Sequence, residues 1–268
     1  MMIDPGLQDR VVLITGANHG IGAATARTFA AQGARVVVHY LAALPPEAGV
    51  FYNALHMVKG KTAAEELVNQ IIQAGGQAAA VEGDLSQAET IPALFDAAEA
   101  AMGPVDVLVN NAAHCEDPDT LVTTTPGSLD RSFAVNTRAV VLMAAEYTRR
   151  YRARNGTCGR IINLSTDAAQ VFAGQIAYGA SKAATEAFTR SLAIELGPLG
   201  ITVNTVAPGP IQTGWMSDEL IGRVLPDIPL GRVGYPDDIA DAIVFLASQQ
   251  ARWLTGQVLK VSGGHALP

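Results

Sequence analysis

Three side chains in this sequence stand at a spacing suited to moving a proton. Tyr178 and Lys182 lie four residues apart in Tyr178-Gly179-Ala180-Ser181-Lys182, a segment that reads as the opening of a helix. At that spacing both side chains share one helix face. A free tyrosine titrates near about 10. A cation held beside it favours the phenolate and lowers that value. Such a tyrosine can exchange a proton with a bound oxygen near neutral pH. Ser165 stands thirteen residues earlier, at the end of a short apolar run, where its hydroxyl can bond the same oxygen. A bare Tyr-x3-Lys pair is more often a surface contact, so its meaning depends on what surrounds it.

A second feature lies near the N-terminus, in Thr15-Gly16-Ala17-Asn18-His19-Gly20-Ile21-Gly22. Glycines let the chain turn sharply and bring backbone N–H groups against a pyrophosphate, and a helix N-terminus favours the negative charge. The spacing here is Gly-x3-Gly-x-Gly. A tight strand-to-helix turn without a ligand is the competing reading, and the position after the first strand of an alternating chain weakens it.

The elements that must carry these residues alternate. Short β-branched runs occur at Arg10–Thr15, Arg35–Tyr40, Gln77–Glu82, Val105–Asn110, Arg160–Ser165, Thr202–Ala207 and Gln257–Val261. Several are apolar throughout, as strands buried on both faces of a parallel sheet are. Between them, helices are expected at Ile21–Gln32, Thr62–Ala74, Gln87–Met102, Leu129–Arg152, Tyr178–Leu196 and Pro236–Ser248. Thr62 with Glu65 has the capping-box pattern. The pattern predicts an α/β chain with one Rossmann-type, doubly wound parallel sheet of about seven strands and helices on both faces. One domain over residues 1–268 is expected, with an inserted connection at 41–61 and a Pro- and Gly-rich lid at about 209–235. Both stretches begin at the C-terminal ends of strands, where such sheets bind ligands.

Taken together, these motifs resemble the short-chain dehydrogenase/reductase family over about Leu7 to His265. The glycine turn looks like the family's cofactor turn, with Gly16, Asn18, His19, Gly20, Ile21 and Gly22 toward the dinucleotide. Asp84-Leu85 looks like the pair that meets the adenine. Asn110-Asn111-Ala112-Ala113 is similar to the Asn-Asn-Ala-Gly motif, with Ala113 in place of the last glycine. Asn136 matches the helix asparagine that anchors a proton-relay water. Ser165, Tyr178 and Lys182 match the catalytic serine, tyrosine and lysine. Pro208, Gly209, Ile211 and Thr213 match the segment beside the nicotinamide. The resemblance implies hydride transfer between a nicotinamide cofactor and a carbonyl or alcohol. The tyrosine handles the proton, the serine holds the oxygen, and the lysine lowers the tyrosine pKa and binds the ribose. The C-terminal half is similar to 3-oxoacyl reductases.

Cofactor choice turns on the end of the second strand. NAD-preferring relatives place an acid there, which takes the ribose hydroxyls and repels a 2′-phosphate. This chain has His39 and Tyr40, then Leu41, and no acid until Glu47. The connection returns through Lys59-Gly60-Lys61-Thr62, and Lys59, Lys61 or Thr62 is expected to meet a 2′-phosphate. NADP(H) is therefore favoured, with NAD(H) open. The resemblance puts His114, Cys115, Asp167, Ala168, Phe172, Gln175, Trp215 and Met216 at the substrate pocket. Asp167 either pairs with a polar substrate group or caps a turn. Cys115 is expected to be inert rather than reactive, and Trp253 to lie in the core or an interface.

Composition removes other classes. Of 268 residues, 49% are hydrophobic and 16% charged, so a large core can be buried and disorder as a main state is excluded. The formal charge of -7 and the lack of a basic stripe argue against nucleic acid. No apolar segment is long enough to span a bilayer. The N-terminal MMIDPGLQDR does not read as a signal peptide, and two cysteines fit a reducing compartment, so a cytoplasmic protein is expected. The five histidines have no ligand spacing, and no metal site is expected. By the resemblance, Leu129–Arg152 and Tyr178–Leu196 would form a four-helix interface in a homotetramer. Two other readings share the features: a dinucleotide-binding regulator or scaffold without turnover, and a sugar-nucleotide epimerase, which normally has a larger C-terminal domain.

Overall fold

The short apolar runs become strands because both of their faces find cover. Val12 and Ile14 point to one side of the sheet and Val11 and Leu13 to the other, and all four are fully buried. This is the two-residue period of a strand placed between two helical layers. A computed structural model describes residues 4–42 and 60–266. In chain order these form β1 (Val11–Ile14), α1 (Gly20–Ala31), β2 (Arg35–Tyr40), α2 (Gly60–Gln73), β3 (Gln77–Glu82) and α3 (Thr90–Met102). Next come β4 (Val107–Asn110), α4 (Pro126–Phe133), a π-helical turn (Ala134–Ala139), α5 (Val140–Ala153) and β5 (Gly159–Leu164). The chain then runs through α6 (Ile176–Leu196), β6 (Ile201–Pro208), α7 (Asp218–Val224), α8 (Pro236–Ala247) and β7 (Val258–Val261).

Among the described residues the seven strands form one parallel sheet in the order β3-β2-β1-β4-β5-β6-β7. The chain winds outward from β1 to β3, then returns to β4 on the other side of β1. A crevice opens where the winding reverses, at the C-terminal ends of β1 and β4. The apolar core on one face joins Phe29 of α1, Leu67 and Ile71 of α2, and Ile239 and Ile243 of α8. The other joins Phe95 of α3, Met143 and Tyr147 of α5, and Leu196 of α6.

Several boundaries differ from the sequence expectation. Helix α2 begins at Gly60, so Thr62 lies inside the first turn rather than at a cap. The stretch expected as one helix over Leu129–Arg152 starts at Pro126, where Thr125 caps it, and a π-helical turn interrupts it. Helix α6 begins two residues before Tyr178. The lid contains an unexpected helix, α7, capped by Ser217 with Asp218 and Glu219 in its first turn. Trp253 is 95% exposed and takes no part in this chain's core. Lys59, Glu47 and most of the 41–61 connection lie outside the described residues.

Candidate active site

The glycine turn is built by clamps from neighbouring strands. Thr15 Oγ1 accepts the backbone N–H groups of Asn111 at 2.9 Å and Ala112 at 3.0 Å. Asn111 Nδ2 donates to the carbonyls of Thr15 and Gly16, each at 2.9 Å. Asn111 and Ala112 therefore hold the turn in shape. The first turn of α1 leaves no room for a side chain at Gly22, where a Cβ would lie 2.4 Å from Gly16 O and 2.6 Å from Asn111 Nδ2. His39 adds a clamp that spacing alone does not reveal. Its Nδ1 accepts the Gly16 N–H at 3.0 Å and its Nε2 meets Gly83 O at 3.0 Å. An accepting Nδ1 and a donating Nε2 define one neutral tautomer. Burial lowers the His39 pKa to about 4, against the opposing pull of the Gly83 carbonyl and the Asp84 charge. Both ring nitrogens are thus engaged inside the protein, so His39 positions the turn instead of reaching outward. Asn18 Nδ2 donates to Gly60 O at 3.4 Å and Asn18 Oδ1 lies 3.2 Å from His19 Nδ1, tying the turn to the start of α2.

At the end of β2, Tyr40 is 5% exposed. Burial first, and then the Glu82 charge, raise its pKa, while the Lys61 charge lowers it. Lys61 is therefore close to this strand end. It is exposed and lies 3.7 Å from Glu65 one turn on. Asp84 accepts from Ser86 N–H at 2.8 Å, and the Leu85 side chain is buried in the core. The chain thus ends β2 without an acid and carries a lysine beside it.

Helix α6 brings Tyr178 and Lys182 together beside the end of β5. Lys182 Nζ lies 5.8 Å from the centre of the Tyr178 ring and donates to Leu164 O at 2.7 Å. Burial lowers the Lys182 pKa to about 8, partly opposed by Cys115. The Tyr178 phenol moves opposite to expectation. Burial pushes its pKa above the ordinary tyrosine value, with the Cys115 and Asp167 charges adding to the rise. The phenolate loses hydration on entering the site, and that cost dominates the shift. Cys115 is itself raised to about 11, chiefly by burial, so its thiol is protonated near neutral pH.

The N-terminus of α6 has no local side-chain cap. Asp119, in the loop after β4, supplies it from a distance. Its carboxylate accepts the N–H groups of Ala177 and Tyr178, each at 2.9 Å, and its carbonyl accepts that of Ile176 at 3.1 Å. Ser165 is brought to the same region, but its hydroxyl donates to Glu186 Oε1 at 2.8 Å. Among the described residues no hydrogen bond joins Ser165 to Tyr178.

Asn136 sits in the π-helical turn and is fully buried. Its Oδ1 accepts His114 N–H at 2.7 Å, and its Nδ2 donates to His114 O at 2.8 Å and Ser181 Oγ at 2.9 Å. The side chain therefore binds the loop after β4 to α6, while the Asn136 carbonyl accepts Thr185 Oγ1 at 2.7 Å. His114 Nε2 lies 2.8 Å from Glu116 Oε1, and Arg131 Nε lies 2.7 Å from the same oxygen. Burial works to raise the Glu116 pKa, but these two partners outweigh it and hold the carboxyl below the usual range.

On the substrate side, Asp167 pairs with His265 Nδ1 at 2.7 Å. The turn after β5 is capped by Thr166, whose Oγ1 accepts Ala168 N–H at 3.3 Å. Phe172 packs so closely on the first turn of α6 that a Cβ on Gly179 would come within 2.1 Å of it. Thr213 borders the glycine turn, since a Cβ on Gly20 would meet its Cγ2 at 3.2 Å. Ile211 is buried in the core, whereas Trp215 on the lid is 44% exposed. Among the described residues no group of acids, histidines or cysteines could hold a metal ion.

The sequence assigns no site role to Asp119, Glu186 or His265. Glu186 follows Lys182 by four residues, a spacing that puts it on the same helix face. Asp119 and His265 act across 59 and 98 residues and carry no local signal.

Comparisons with known proteins agree with this architecture. The family model described as Enoyl-(Acyl carrier protein) reductase matches residues 53–266, and that described as short chain dehydrogenase matches residues 10–50. The chain is 39% identical to "Uncharacterized oxidoreductase YjdA" of Bacillus subtilis, over 96% of this chain and 97% of the relative. It is 36% identical to "NADPH-dependent aldehyde reductase-like protein, chloroplastic" of Arabidopsis thaliana, over 97% and 95%. Among solved structures it is similar to a blue fluorescent protein from a metagenomic library in complex with NADPH, with a TM-score of 0.83, 32% identity, and coverage of 97% of this chain and 99% of that one.

Proposed function

This chain belongs to the short-chain dehydrogenase/reductase family, and we propose that it interconverts a carbonyl, either a ketone or a 3-oxoacyl group, and an alcohol, using NADP(H). One observation carries the reading. Half-buried Tyr178 and buried Lys182 share a face of α6 at the strand edge where the glycine turn also opens. The turn fits a dinucleotide, because its shape is held by Asn111 and His39 and it closes so tightly that a Cβ at Gly22 would collide with Gly16 O. Gly16 to Gly22 would hold the pyrophosphate, Asp84 and Leu85 the adenosine, Lys182 the nicotinamide ribose, and Pro208, Gly209 and Thr213 the nicotinamide side. The bound dinucleotide supplies the hydride acceptor or donor.

The chain's own residues handle the proton. Tyr178 gives its phenolic proton to the carbonyl oxygen during reduction and takes it back during oxidation. Lys182, whose ammonium is held near the ring, offsets the phenolate charge. Burial favours the neutral phenol, which is the proton-donating form. Ser165 holds the substrate oxygen once its hydroxyl turns from Glu186, a single rotation about its Cα–Cβ bond. Asn136 holds the π-helical turn, through which the relay to solvent runs.

NADP(H) is favoured by the missing acid at Tyr40, the position of Lys61, and the NADPH named for a relative and a solved neighbour. The whole chain acts as one catalytic domain in the cytoplasm, with 209–235 as the lid. Phe188 and Ile194 are exposed apolar residues on α6, as a homotetramer paired through its long helices requires. A panel of ketones, β-ketoesters, quinones and acyl thioesters, each with NADPH and NADH, tests the reading. Turnover of at least one carbonyl is expected, faster with NADPH. Tight NADPH binding without oxidation by any of them would point to a regulator instead.

A further inference from the structure

Beyond β7 the chain turns through Gly263 and Gly264 and brings His265 back to the site. Its Nδ1 lies 2.7 Å from Asp167 Oδ2. Asp167 stands two residues past Ser165, is 7% exposed, and its charge acts on the Tyr178 phenol. A Cβ on Gly209 would come within 3.1 Å of the same Oδ2 and 2.7 Å of Ser262 Cα. The carboxylate thus borders the Pro208–Gly209 segment, its charge reaches the tyrosine, and His265 is one hydrogen bond from that carboxylate.

The turn is fastened on several sides. Ser262 Oγ donates to His265 O at 2.9 Å. Leu230 N–H of the lid donates to Gly263 O at 3.0 Å. Lys260 Nζ reaches Gln170 Oε1 and Ala266 O, each at 3.3 Å. The tail is therefore a wall wedged between the lid and the loop after β5. A carboxylate at Asp167 takes the Nδ1 proton of the ring. Among the described residues Nε2 then has no hydrogen-bond partner. A neutral ring offers there an acceptor for a hydroxyl, and a protonated ring offers a donor to an oxygen.

We propose that His265 is a specificity-determining residue. With Asp167 it forms the polar wall of the substrate site and favours carbonyl compounds that bear a second oxygen group beside the reacting carbonyl. This rests on the reading of the protein as a carbonyl reductase. Phe172 against the first turn of α6 and the exposed Trp215 supply apolar surface, so the Asp167–His265 pair is placed to tell a hydroxyketone from its parent ketone. A site built to hydrogen-bond a substrate hydroxyl rejects an analogue lacking it far more strongly than an apolar pocket rejects a methylene.

Steady-state kinetics on the full chain with NADPH test this. The substrate pairs are 2-butanone with 1-hydroxy-2-butanone, and cyclohexanone with 2-hydroxycyclohexanone. The wild type is expected to favour the hydroxyketone in kcat/KM by about tenfold or more. His265→Asn keeps a donor for Asp167 and removes the Nε2 position. It is expected to lose the preference, with the hydroxyketone KM rising about tenfold and kcat changing little. His265→Phe, which keeps the ring and removes both nitrogens, should lose it too, and serves if the asparagine variant fails to fold. A wild type without preference, or variants that slow both members of a pair by one factor, would overturn the inference and leave the carbonyl reductase reading standing. No turnover of any carbonyl would overturn that reading, and the inference with it.

Discussion

Asp119 Oδ2 accepts the backbone N–H of Tyr178 at 2.9 Å, so a carboxylate 59 residues away in sequence caps the start of α6. Its other oxygen takes Ala177 N–H at the same distance. These are two of the N–H groups that a helix start leaves without partners. The buried charge also lies at the positive end of the helix dipole, where it is favoured. Asp119→Ala is expected to lower stability by about 1–2 kcal/mol, measured by denaturant unfolding. It should lower kcat while the dissociation constant for NADPH changes little, because the Asp119 carboxylate bonds the start of α6 and not the glycine turn. Asp119→Asn keeps one acceptor and should fall between the two. An alanine variant with wild-type kcat would show that Tyr178 is positioned without this cap.

Tyr178→Phe keeps the ring on Lys182 and removes the proton. If Tyr178 is the proton donor, carbonyl reduction should fall by about 10²–10⁴-fold. NADPH binding, followed by fluorescence titration, should persist. Turnover near the wild-type value would remove Tyr178 from the proposed mechanism.

The strands were legible because each apolar run is covered on both faces, a property that the residues themselves display. The placement of Tyr178 and Lys182 followed from helical spacing. Other features depend on distance in the fold and leave no local mark. Burial around Tyr178 raises its pKa where an adjacent lysine suggested a fall. The π-helical turn that carries Asn136 adds one residue to a helix without altering its apolar pattern. Ser165 was found, but its partner Glu186 was not, because the bond depends on how β5 meets α6. His265 reads as one scattered histidine until the tail turns back on Asp167.

The Lys61 charge acts on Tyr40 at the end of β2, where the missing acid leaves room for a 2′-phosphate. Lys61→Glu puts a carboxylate beside that position and should raise the KM for NADPH about tenfold, a loss of about 1.4 kcal/mol. The KM for NADH should change much less. Steady-state kinetics with both cofactors decide it. Equal Michaelis constants for the two cofactors in the wild type would contradict the NADP(H) preference.

His39 links the glycine turn to the end of β3, and its protonation should loosen both. The ring is neutral when buried, with a pKa of about 4, against an ordinary value near 6.5. Between these values the unfolded chain binds a proton that the folded chain refuses, so stability rises with pH across this window. The contribution is complete above about pH 6.5 and disappears as the pH falls through about 4. The span corresponds to roughly 3 kcal/mol. Protonation would also turn Nδ1 from acceptor to donor and break its bond with Gly16 N–H. NADPH affinity should therefore weaken at the acid end of the same window. Urea unfolding from pH 4 to 8 should show the loss, and His39→Gln, which cannot titrate, should flatten it. A variant with the same acid limb as the wild type would assign that limb to other groups.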